Sequence, residues 1–129
     1  MKQLWTTPKA TNKRQIGNHY EALAKRHLTQ QGLIEVADNF NAKCGEIDLI
    51  MRDLECIVFI EVKYRQNRHF GLAQEMVTAS KARKLQKTAT LWLMNQGLSP
   101  YTTEFRFDIV AIHNNGHDIN WIQNAITQG

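Results

Sequence analysis

The chain has 129 residues, with sixteen Lys and Arg against twelve Asp and Glu, a formal net charge of +4 and a pI near 9.2. That length suits one domain whose core needs no covalent staples, and the basic balance fits a polyanionic partner. Two cysteines are too few for a disulfide framework, no apolar run reaches the length of a membrane span, and the amino-terminal stretch lacks the apolar core of a signal peptide; the expected setting is cytoplasmic, with reduced thiols.

The charge is unevenly spread. Residues 1–31 hold six Lys or Arg and one acid, Glu21; residues 63–87 hold seven and one, Glu75; residues 98–129 hold only Arg106 against three acids. Basic character therefore belongs to the two stretches with helical patterning.

Residues 1–12 contain Pro8, three threonines and no periodicity, which predicts a loose arm, anchored at most by Trp5, ahead of a single domain over 13–129. The spacing predicts a helix over 13–31, with Ile16, Tyr20, Leu23, Ala24, His27 and Leu28 on one apolar stripe and Gly32 just past its end. His27 is expected to pack, not to ligate. Glu21 sits about 20° outside the stripe at roughly 100° per residue. It can reach a neighbouring sheet or pair in solvent with Lys25 one turn on. A first strand is predicted over 33–40, ending in a turn at 39–41.

Residues 46–52 and 56–65 then read as an antiparallel hairpin joined by the polar break at 53–55. Alternation puts Glu46 and Asp48 on one face, with Ile47, Leu49 and Met51 on the other. On the second strand Glu61 and Lys63 share a face, opposite Ile60, Val62 and Tyr64. If Asp53 opposes Cys56, Asp48 falls opposite Glu61 and Glu46 opposite Lys63, and a common core favours that register. Like charges facing each other destabilise a sheet, so such a cluster needs a reason. Two converging carboxylates suit a hard divalent cation, Mg2+ or Mn2+, and a nearby lysine can orient water or stabilise a charged phosphate. The alternative is a solvated face with a Glu46–Lys63 cross-strand pair; against it, the apolar run over 57–60 predicts a buried central strand. In this register Cys44 and Cys56 lie about 30 Å apart, too far to bridge.

Arg65, Arg68 and His69 follow the second strand in a loop over 66–74, placed either to hold a nucleic-acid backbone or simply to solvate the surface. A second helix is predicted over 78–96, burying Ala82, Leu85, Ala89, Trp92 and Leu93. Lys81, Arg83, Lys84 and Lys87 crowd its start, where cations oppose the helix dipole; Lys81 and Lys84 are the candidates for phosphate contact, with a solvated face as the alternative. A fourth strand is predicted over 104–113, a turn at 114–116 and a fifth strand over 118–122. Arg106 and Asp108 share a polar face and read as structural support. His113 and His117 are expected at the surface.

The stretches Gly45-Glu46-Ile47-Asp48-Leu49-Ile50, Phe59-Ile60-Glu61-Val62-Lys63-Tyr64-Arg65 and Arg106-Phe107-Asp108-Ile109-Val110, with Gly17 and Glu21 upstream, resemble the PD-(D/E)XK nuclease superfamily, and more closely the YraN-like family of small bacterial proteins described as candidate endonucleases. The likeness spans about residues 17–122. Ile47 stands where many superfamily members carry the proline of the motif's name. The resemblance implies an α/β restriction-endonuclease-like core, related to Holliday junction resolvases, with a mixed sheet and helices packed against it in the order α-β-β-β-α-β-β. It implies a Mg2+-dependent endonuclease acting on DNA, including branched DNA. Asp48, Glu61 and the Val62 carbonyl would hold the metal, Glu21 would add a ligand directly or through water, and Lys63 would position the attacking water. Glu46 would support them from behind. The superfamily also contains members that bind nucleic acid without cutting, which gives the alternative of a DNA-binding or scaffold protein. Two-fold junction substrates would make a homodimer natural.

Overall fold

The structure is a computed structural model that describes residues 13–65 and 78–126. Its elements are α1 (Lys13–Gln30), β1 (Ile34–Ala42), β2 (Gly45–Asp53), β3 (Cys56–Arg65), α2 (Ala79–Asn95), β4 (Phe105–His113), a short 3-10 turn (Asn114–Gly116) and β5 (Asp118–Ile122). The α/β class and the element order are those expected. The strands form one sheet in chain order. All neighbours are antiparallel except β3 and β4, which run parallel, as a connection long enough to include α2 permits.

The alternation along β3 assigns the two helices to opposite faces. Val58 and Ile60 pack with Tyr20, Ala24 and Leu28 of α1, together with Leu49, Met51, Val110 and Ile112. Phe59 points the other way, into Leu85, Ala89, Trp92 and Leu93 of α2, with Ile47, Ile50 and Phe107. Phe59 is 2% exposed and meets Trp92 edge-on at 5.8 Å and Phe107 in a stack at 5.5 Å. Burying such a side chain stabilises the fold by about 2–3 kcal/mol. β3 is thus covered on both faces, which makes its polar end, Glu61 and Lys63, stand out.

α1 ends as its sequence suggests, and α2 begins on a capping residue. Gly32, at φ 104°, lets the Leu33 N–H donate to the Leu28 carbonyl at 3.1 Å and its own N–H donate to the Thr29 carbonyl at 3.0 Å, closing α1 with a Schellman motif. At the start of α2 the Thr78 hydroxyl accepts the Lys81 N–H at 3.1 Å, a conventional N-cap.

Several expectations need correction. β1 does not end at 39–41: it runs on to Ala42, and Asn39 absorbs the irregularity with a φ of 50°, so the turn falls at Lys43-Cys44. His113 is buried at 4% exposure because it closes a central strand, paired with Arg65 on one side and Asp118 on the other; His117 is exposed. Lys25 does not reach Glu21; it bonds Glu35 and Asp38 of β1, each at 2.9 Å. Both cysteines are free. The arm over 1–12 and the loop over 66–74, with Arg68, lie outside the described residues. Among the described residues no helix is long and apolar enough to cross a membrane.

Asp108 is the fully buried polar hub of the β4–β5 side. It accepts bonds from Arg106 Nε at 3.1 Å, Trp121 Nε1 at 2.8 Å and the Asn124 N–H at 3.0 Å, and Arg106 continues to Asp53 at 3.1 Å. With its oxygens satisfied, Asp108 is structural, as its sequence position suggested.

Candidate active site

The β2–β3 ladder has the expected register, Asp53 opposite Cys56, and continues as far as Leu49 opposite Ile60. There the two strands part. Ile47 and Ile50 belong to the same, α2-side cluster although they are three residues apart, so the two-residue alternation slips at Asp48. The residue facing it on β1 is Asn39, skipped in the ladder between Asp38–Leu49 and Phe40–Ile47. The slip leaves the Asp48 carboxyl in the split between β2 and β3, where its Oδ2 accepts the Val62 N–H at 2.9 Å. The expected ladder pairs Asp48–Glu61 and Glu46–Lys63 therefore do not form as ladder pairs. Glu46 is exposed and stands opposite Asn41.

The split brings the carboxyls together by another route. Asp48 hydrogen-bonds the side chain of Glu61, and Glu21 reaches it from α1. Burial, then the charge of Glu61, pushes the Asp48 carboxyl up from 3.8 to about 8, and Glu21 adds to the effect; the bond from Val62 opposes it. Burial also raises Glu21, against hydrogen bonds to Asp48 and Asn39. Three carboxyls from three elements thus crowd one point, and one of them does not readily ionise at neutral pH.

Two ammoniums meet this group at Glu61, whose side chain is 7% exposed: Lys63 Nζ lies 3.2 Å from Oε2 and Lys81 Nζ 2.6 Å from the same atom. Burial, and then the bond with Lys81, draws the Lys63 ammonium below its usual range. Burial disfavours the Lys81 charge as well, but its bonds to Glu61 and Lys63 outweigh that and raise it. Lys81, a candidate for phosphate contact, lies in the carboxylate cluster. The signal was available: Lys81, Leu85, Ala89 and Trp92 follow one another at i, i+4, i+8 and i+11, so Lys81 continues the buried stripe of α2 outward by one turn.

Asp48, Glu61, Lys63 and Lys81 form the wall of a cleft of about 860 Å3 that also takes in Gly45, Glu46, Val62, Tyr64, Thr78, Ser80 and Lys84. Lys84 is exposed on its rim, and Arg65 is half-buried at the end of β3. Gly45 is required at its base: a Cβ there would lie 2.9 Å from Thr88 Oγ1, a buried hydroxyl that donates to the Lys84 carbonyl at 2.7 Å. Gly45 heads the Gly45–Ile50 stretch singled out in the sequence, whereas Thr88 carries no signal there. Among the described residues no three carboxylate, imidazole or thiolate groups form a ready-made metal cage.

A profile of the family described as "Uncharacterised protein family UPF0102" matches residues 20–112. The chain is 60% identical over 118 residues to a UPF0102 protein of Vibrio campbellii (strain ATCC BAA-1116), covering 92% of this chain and 97% of the relative. It is 57% identical over 121 residues to one from Aliivibrio salmonicida (strain LFI1238), covering 94% and 98%. With one from Vibrio cholerae (serotype O1, strain ATCC 39541) the identity is 47% over 118 residues, covering 92% and 97%.

Proposed function

The chain belongs to the UPF0102 family, and we propose that it is a metal-dependent endonuclease that hydrolyses phosphodiester bonds in DNA. One observation carries the reading: Asp48, Glu61 and Lys63 line an open cleft where the sheet splits, and Glu21 reaches Asp48 from α1. The resemblance of these stretches to the PD-(D/E)XK superfamily points the same way.

The residues fit a divalent ion of the Mg2+ or Mn2+ kind. The donors are hard oxygens, and crowding has already driven one carboxyl toward its neutral form, a cost that a cation would relieve. Mg2+ commonly uses one or two carboxylates and keeps several waters, so a closed protein cage is not needed. Asp48 and Glu61 would hold the ion with the main-chain carbonyl of Val62, and Glu21 would join directly or through water. Such an ion supplies a more acidic water and offsets charge at the phosphate. Lys63, its ammonium drawn down by burial and by Lys81, lies 3.2 Å from Glu61 Oε2, where it can orient the attacking water and stabilise developing charge. Arg65 and Lys84, at the end of β3 and on the cleft rim, would position the phosphate backbone; Arg68 is assigned the same task on its sequence position.

Calorimetric titration with Mn2+ and Mg2+ tests the site. Binding by the wild type that is lost in Glu61→Ala, together with metal-dependent cleavage of nicked, branched or single-stranded DNA, is the expected result. Undiminished cleavage by purified Glu61→Ala or Asp48→Ala would end the assignment. A second reading, a DNA-binding protein without turnover, draws on the 2.6 Å Lys81–Glu61 contact, which already supplies Glu61 with a counter-charge. It predicts salt-sensitive DNA binding that is indifferent to divalent ions.

A further inference from the structure

Lys81 occupies a position that the proposed metal site reserves for a cation. Its Nζ lies closer to Glu61 Oε2, at 2.6 Å, than does that of the strand lysine Lys63, at 3.2 Å. Two ammoniums on one carboxylate oxygen repel each other, and Lys81 also stands in the first turn of α2, where the helix dipole opposes a positive charge. What holds it inward is the carboxylate cluster: hydrogen bonding to Glu61 and the charges of Glu61 and Asp48.

Glu21, Asp48 and Glu61 offer three negative charges when all are ionised, against two from Lys63 and Lys81. Adding a divalent ion while both lysines stayed would overshoot neutrality by one positive charge; the departure of one ammonium restores balance. Lys63 is fixed on the same strand face as Glu61, and its side chain is 19% exposed. Lys81 is 41% exposed and stands on the cleft wall beside Thr78, Ser80 and Lys84, so it has somewhere to go.

Resting on the metal-site reading above, we infer that Lys81 is a placeholder cation: it neutralises Glu61 until a divalent ion binds, and then turns into the cleft to contact a phosphate oxygen of the nucleic acid. Lys81 is a competitor for the metal position in the free protein and a positioning residue for the substrate in the loaded one.

The test is Mn2+ titration by calorimetry on the full chain without nucleic acid. Lys81→Met keeps the apolar stem and removes the charge, and should tighten Mn2+ binding by about fivefold, the upper end for one partly exposed charge pair. Lys81→Arg, which keeps the charge, and Lys87→Met, which removes an exposed charge of α2 outside the cleft lining, should each stay within about twofold of wild type. The second measurement is the salt dependence of binding to duplex DNA with and without Ca2+. The slope should steepen by about one phosphate contact when Ca2+ is present in the wild type, and should not change in Lys81→Met. Equal Mn2+ affinity in wild type and Lys81→Met overturns the placeholder role while the metal site stands. Tighter binding with no change of slope overturns the handover to phosphate. No Mn2+ binding in either protein overturns the placeholder and the metal site together, whereas binding seen only in Lys81→Met supports both.

Discussion

Asp48→Asn should make the metal-free protein more stable, although it removes the central metal ligand. Folding moves the Asp48 carboxyl from 3.8 to about 8, so the native state favours the proton and the unfolded state gives it up. The penalty is absent below pH 3.8, grows as pH rises through the interval up to about 8 and is constant above it. That interval is about four pH units at about 1.4 kcal/mol each, an upper limit of roughly 6 kcal/mol. Glu21, whose carboxyl is also raised by burial and touches Asp48, can take up the proton in its place, which returns part of the penalty; we expect a net gain of about 2–3 kcal/mol at pH 8. Asparagine keeps an oxygen for the Val62 N–H, bonded at 2.9 Å in the wild type, and adds an amide donor for the two glutamates. Urea denaturation in chelator at pH 5, 6, 7 and 8 measures the effect. The Asn variant should gain over wild type at each step, reaching about 2–3 kcal/mol at pH 8, or about 10 °C in a parallel thermal melt. A variant less stable than wild type, or a difference that does not change with pH, would refute the crowding of the three carboxyls.

Two further substitutions separate scaffold from site. Asp108→Asn turns an acceptor-only, buried hub toward the donors of Arg106 and Trp121 and leaves a half-buried guanidinium short of charge; it should cost about 3 kcal/mol in urea denaturation while the folded protein keeps its Mn2+ affinity. Loss of metal binding in a folded Asp108→Asn would place Asp108 in the site. Gly45→Ala forces a Cβ to 2.9 Å from Thr88 Oγ1 on a backbone at φ +154° and should cost about 1–3 kcal/mol. Adding Thr88→Ala should restore the steric share of that loss, and a double variant as unstable as the sum of the two would show that the contact is not the cause.

The sequence carried much of this fold because both of its main signals are local. Helical periodicity found α1 and α2, and Gly32 marked the end of α1 because a helix end must satisfy its backbone groups. The hairpin register followed from a requirement that any buried strand pair imposes, one common apolar face. Where expectation failed, the deciding interaction was not local. His113 reads as a polar residue before a turn, and is buried because strands lie on both sides of it. Asn39-Phe40-Asn41 has turn composition, yet pairing with β2 carries the strand through it, with Asn39 taking the left-handed backbone that asparagine tolerates better than most residues.

The site was legible in its residues but not in how they meet. Strict alternation along β2 predicts that Asp48 and Glu61 face each other across an intact ladder, a geometry in which like charges would only destabilise the sheet. In the structure the ladder ends one pair earlier, and the alternation slips at the residue whose carboxyl is needed. That slip gives Asp48 a backbone donor, Val62, which a ladder-paired aspartate would have lacked, and it leaves the carboxyl within reach of α1 on one face and of Glu61 on the other. A regular strand offers a side chain to one face alone. The irregularity that degrades β2 as a strand is thus what lets Glu21 and Glu61, held on opposite sides of the sheet, act on a common centre.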